Sequence, residues 1–104
     1  MNYLQSIAER IKSGVPVEVL PSVPNTDLLF NLYAVLLLAK GNEVSMEDVH
    51  NAWAAWMCQE NPSHDAIKPF VELDEKAQQQ DKPFVEAITK AAQDMASETS
   101  WYTR

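Results

Sequence analysis

Glycine is scarce in this chain: Gly14 and Gly41 are the only two. That excludes a glycine-rich phosphate loop, which needs several glycines to bring backbone N–H groups onto a phosphate. Cysteine is scarcer. Cys58 stands alone, so no intrachain disulfide can form. It lies beside Met57 in a helical pattern and is expected to be buried and inert. Positive charge is also short, with 8 Lys and Arg against 15 Asp and Glu and a net charge of −7. Such a field repels phosphate and opposes direct binding to nucleic acid or anionic lipid. No apolar run approaches the ~20 residues that cross a bilayer. The opening MNYLQSIAER lacks the basic start and apolar core of a signal peptide. The expectation is a cytoplasmic protein with no membrane span.

What is present suits one core. The chain has 104 residues, 46% of them hydrophobic, with three Trp, three Tyr and three Phe. Its organising stretch is Leu28 to Ala39, LLFNLYAVLLLA, where only Asn31 and Tyr33 carry polar side-chain atoms. A helix apolar on every side is expected to be wrapped by other helices. Leu36 is placed on that buried hub.

Around it the chain reads as helices. Tyr3, Leu4, Ile7, Ala8 and Ile11 form one stripe of an amphipathic helix, which Ser13-Gly14 ends, with glycine expected in the left-handed conformation. Pro16, Pro21 and Pro24 forbid a long helix between the first and second helices. Asn25, Thr26 and Asp27 are cap candidates for the second helix, and Lys40 and Gly41 close it. Ser45-Met-Glu-Asp48 resembles a capping box with Asp in place of Glu. It opens a third helix whose apolar face carries Val49, Trp53, Trp56 and Met57. Pro62 and Pro69 bracket a connection, and Leu73 to Gln80 reads as a short polar turn. Asp81 is expected to cap a last helix that bears Phe84, Val85, Ile88, Ala92 and Met95.

The fold class is therefore all-α: a compact bundle of four main helices around a central apolar helix, with Pro-rich connections. The helices are predicted at about 2–13, 26–40, 46–59 and 82–96. Residues 1–98 form a single domain and 99–104 a tail, where Trp101 and Tyr102 are candidate contacts for a protein partner.

No constellation carries recognisable catalysis. Ser, His and Asp occur without a nucleophile elbow, and Glu47 and Asp48 point different ways on a helix. His50, His64 and Asp65 have no diagnostic metal spacing, and both histidines read as structural. No enzyme activity, metal or cofactor is expected. Paired Trp53 and Trp56 could stack bases, but the acidic balance favours a place in the core.

One set of residues resembles a known family. His50-Asn-Ala-Trp53-Ala54, then His64, then Pro69-Phe70-Val-Glu-Leu73, then Asp81 is similar to the repeat domain named after ryanodine receptors, also found in bacterial and phage proteins. The spacings from His64 to Pro69, Pro69 to Leu73 and Leu73 to Asp81 agree with that pattern. Asp65 replaces the family's usual Pro, and its Gly-Trp-x-Tyr-Gly stretch is missing between Trp53 and His64. The whole chain also resembles small uncharacterised helical proteins of actinobacteria and their phages. The resemblance implies either a structural clip or a pocket formed by Trp53, His64, Phe70 and Asp81 for a nucleotide-derived small molecule.

Three functions follow as expectations. The first is a non-enzymatic binding or adaptor module, phage-borne or linked to phage defence, that meets a protein through its acidic face or its tail. The second is a small-molecule sensor using the motif pocket. The third is an acidic mimic of DNA.

Overall fold

A computed structural model of the protein describes residues 2–21 and 25–98. Its first helix, α1 (Tyr3–Ser13), begins with a reciprocal cap that the sequence reading did not identify. The Gln5 N–H donates to Asn2 Oδ1 at 2.9 Å, and the Asn2 N–H donates to Gln5 Oε1 at 3.0 Å. Two N–H groups that the helix cannot satisfy internally find partners in this way. Gly14 follows, but its φ of −90° is right-handed and corrects the left-handed expectation. The residue serves packing instead. A Cβ there would lie 3.5 Å from Ala87 Cβ, so Gly14 sits where α1 nears the last helix. The proline segment makes one 3-10 turn, Val17–Val19.

The central helix is α2 (Thr26–Lys40). Asn25 precedes it at φ 69°, a conformation that asparagine tolerates better than most residues, and its side chain makes no cap bond. Its carbonyl instead accepts from Trp56 Nε1 at 3.0 Å, which fixes the entrance of α2 to the middle of the bundle. Gly41, at φ 55°, ends the helix. The next helix is α3 (Met46–Glu60), and the expected capping box is present: the Asp48 N–H donates to Ser45 Oγ, and the Ser45 N–H donates to Asp48 Oδ2. Lys40 pairs with the same carboxylate at 3.0 Å. Partial burial pushes the Asp48 carboxyl up, but the Ser45 and Lys40 bonds outweigh it and hold the group below its ordinary range.

After a connection with a 3-10 turn at Phe70–Glu72 come the short α4 (Glu75–Gln79) and the long α5 (Lys82–Glu98). The four long helices match the predicted bundle, and α4 occupies the predicted turn. An exposed Arg10–Glu98 ion pair ties α1 to the end of α5. Among the described residues, no helix is long and apolar enough to cross a membrane.

The core draws on every long helix. Leu29, Phe30, Tyr33, Ala34 and Leu37 of α2 are buried against Ile7 and Ile11 of α1, Val49 and Trp56 of α3, and Ile88 and Met95 of α5. Phe30 meets Tyr33 edge to face, with centroids 5.4 Å apart. The full wrapping expected of α2 needs correction. Val35 is 50% exposed, Leu28 41% and Leu38 39%. Helices α1, α3 and α5 cover one side, and the stripe Leu28, Leu32, Val35 and Ala39 lies on the other. Leu32 and Leu36 are only partly buried. Cys58 is also corrected: it is exposed, because it sits two residues past buried Trp56 and hence on the far side of α3.

Candidate functional site

The site is built outward from α3. His50 and Trp53 are three residues apart, so their side chains share one face of the helix. Their rings stack with centroids 5.6 Å apart and planes 24° from parallel. His64, on the connection after α3, meets Trp53 edge on at 5.1 Å. Its Nδ1 accepts from the Ala66 N–H at 3.1 Å, which orients the ring.

His50 is almost wholly buried, and its Nε2 lies 2.7 Å from the Lys68 carbonyl oxygen. A carbonyl can only accept, so Nε2 carries the proton and a neutral ring keeps its lone pair on Nδ1. This bond holds the connection against α3. A second tie comes from α4, where Gln78 Nε2 donates to the Phe70 carbonyl at 3.0 Å and to the Leu73 carbonyl at 3.2 Å.

These ties frame a cavity of about 620 Å³ between α2, α3, α4 and α5, with Trp53, His64, Asp81, His50, Tyr33 and Phe84 in its wall. That volume falls within the ~300–1,000 Å³ typical of small-molecule sites. Tyr33 and Phe84 pack at 5.6 Å and continue the aromatic lining. Three of the four residues singled out for a ligand, Trp53, His64 and Asp81, are thus brought together. Phe70 is not in the wall. Its ring packs 6.2 Å from that of His50, which is in the wall.

Asp81 departs from its expected role as a cap. The N–H groups of Phe84 and Val85 donate to its backbone carbonyl, while Oδ2 of its side chain is buried without a hydrogen-bond partner among the described residues. Burial raises its carboxyl to about 6, and the nearby charge of His50 opposes the rise. Burial also pushes the Tyr33 phenol far up, and the Asp81 charge adds to that effect.

The consequence for stability is testable. The folded carboxyl holds its proton more tightly than the unfolded one, so between 3.8 and about 6 the folded state binds the extra proton. Stability from this group is present at low pH and lost as pH rises through that window. Asp81→Asn is therefore expected to stabilise the fold at pH 7.5 by about 1–2 kcal/mol, after allowance for solvent screening. The difference should close near pH 4. Urea titrations of both proteins at the two pH values check this; a difference independent of pH would contradict it.

Sequence reasoning treated His50 only as a motif position and a stray metal candidate, and it missed Tyr33 and Phe84 as wall residues. The His50–Trp53 spacing was the available signal for the first. Nothing local signals the others, since long-range packing delivers them. Trp101 and Tyr102 lie outside the described residues. Among the described residues, no group of three or more His, Cys, Asp or Glu side chains is placed to hold a metal.

No curated protein and no solved structure matches the chain. Residues 2–93 match a family model, a span that takes in every wall residue of the cavity, and the chain belongs to the family described as Domain of unknown function (DUF7701).

Proposed function

We propose that this protein is a non-enzymatic binding module that holds a small planar organic ligand in the cavity beside Trp53. The observation that carries the reading is the clustering of aromatic and polar side chains around about 620 Å³ of open space. A few polar groups in an aromatic wall are what orient a small ligand. The resemblance to the ryanodine-receptor repeat domain supports a nucleotide-derived ligand and a setting in phage or phage defence. The test is a thermal-shift panel of cyclic nucleotides, ADP-ribose derivatives, free purine bases and small aromatic amines. A ligand at 100 times its Kd adds about 2.7 kcal/mol of stability, enough to read as a clear shift. The shift should vanish in Trp53→Ala. No shift from any class at saturating concentration would count against the reading.

A protein partner is the second reading, favoured by exposed Leu28, Val35 and Ala39 on α2, with partly buried Leu32 among them. The occupant proposed is a second copy. Antiparallel pairing of two such helices would set Asp27 of one near Lys40 of the other and oppose their dipoles favourably. Sedimentation of the parent and of Val35→Lys decides it: an associating parent with a monomeric variant supports the contact, and two monomers remove it.

A further inference from the structure

Asp81 is one of the residues in the cavity wall. Asp81 Oδ2 is buried and has no hydrogen-bond partner among the described residues. An ionised carboxylate only accepts, so every bond it makes must come from a donor brought to it. A buried acceptor left without one is destabilising. The same wall carries the rings of Tyr33, Trp53 and Phe84. Aromatic faces carry negative charge and attract cations. The whole chain adds its net charge of −7, which concentrates cations and repels phosphate.

From this juxtaposition we infer that the cavity takes an organic cation with N–H donors, an amidinium or primary ammonium on a planar body, with Asp81 as its counter-ion and Trp53, Tyr33 and Phe84 as its aromatic wall. The inference rests on the cavity reading above and names the class of ligand.

The other titratable and charged groups in the wall are His50, His64, Tyr33 and Lys76. The proton on His50 Nε2 is committed to the Lys68 carbonyl, so that atom is not free to serve Asp81. Lys76 makes no ion pair with Asp81 among the described residues, the three ion pairs found there being elsewhere. Lys76 is exposed at the rim, so it is the internal competitor for Asp81. It is also the group that would favour an anion. That opposition makes it diagnostic. Without its charge, a cation should bind more tightly and an anion less tightly. Acid should weaken cation binding, since Asp81 takes up a proton as pH falls.

The experiment titrates benzamidinium, neutral benzamide and benzoate into the full chain at pH 8 and pH 5, following amide chemical shifts. The same titrations are run on Asp81→Asn and Lys76→Gln. Benzamidinium should bind the parent at least about tenfold more tightly than benzamide, as a charge-assisted bond to a buried partner allows. Asp81→Asn should erase that preference, Lys76→Gln should enlarge it, and pH 5 should reduce it. Equal affinity for benzamidinium and benzamide in the parent overturns the inference, as does a preference that survives in Asp81→Asn. Tightest binding by benzoate also overturns it. Lys76 is exposed, so Lys76→Gln keeps the test decisive should Asp81→Asn fail to fold. If all three probes are silent but a nucleotide shifts the melting curve, the cation inference alone fails. If the nucleotides are silent too, the cavity reading fails with it.

Discussion

Leu37→Ala is expected to lower the unfolding free energy by about 2–5 kcal/mol, whereas Leu36→Ala should cost roughly half as much or less. The two residues are neighbours on one helix, but Leu37 is fully buried and Leu36 only partly so. Truncating Leu37 leaves a hole among close-packed neighbours, which relax only in part. Truncating Leu36 removes atoms that water already reaches on one side. The first loss is a large share of the roughly 5–15 kcal/mol that holds a domain of this kind together. Urea denaturation with a common m-value reads both numbers. Equal costs for the two substitutions would mean that Leu36 is covered as fully as Leu37.

That contrast also marks how far the sequence can be read. The positions of the long helices were legible because their signals are local. The stripe from Tyr3 to Ile11, the Ser45–Asp48 box and the glycine after Lys40 each act within a few residues. Which side of α2 is buried was not legible, because its composition is apolar on every side. Periodicity cannot orient a helix that has no polar face. The choice is made by α1, α3 and α5, which bury Leu29, Phe30, Tyr33 and Leu37 and leave Val35 outside. Gly14 illustrates the same limit. Its place at the helix end was evident, but its close approach to Ala87 belongs to a contact across most of the chain.

The site was legible in the same partial way. Trp53, His64 and Asp81 could be grouped by motif spacing, and they do share a cavity. Their chemistry could not be read from that spacing. Asp81 before Pro83 has the local features of a helix cap, and local features cannot show that its Oδ2 is instead buried without a hydrogen-bond partner among the described residues. Phe70 is the reverse case. It belongs to the motif, yet it is not among the wall residues and its ring packs beside His50, which is.

His50→Ala is the substitution that tests this division of labour. It should cost about 2–4 kcal/mol, combining lost packing with a partly buried Lys68 carbonyl left without its donor. His50 joins three things that are separate in sequence: the stack on Trp53, the Phe70 ring and the Lys68 carbonyl. Its loss should therefore release the connection between α3 and α4 before the bundle itself opens. In hydrogen exchange, the Leu73 and Gln78 amides should lose protection while those of Leu37 and Ile88 keep theirs beyond the global change in stability. His50→Gln offers an amide N–H in place of the ring donor and should recover part of the stability without the stack. If His50→Ala lowers protection uniformly, the residue is ordinary core and the connection needs no clip. If it loosens the connection and also abolishes ligand shifts, one buried histidine both secures the loop and holds the cavity wall in place. The clip and the binding site would then be two consequences of the same side chain.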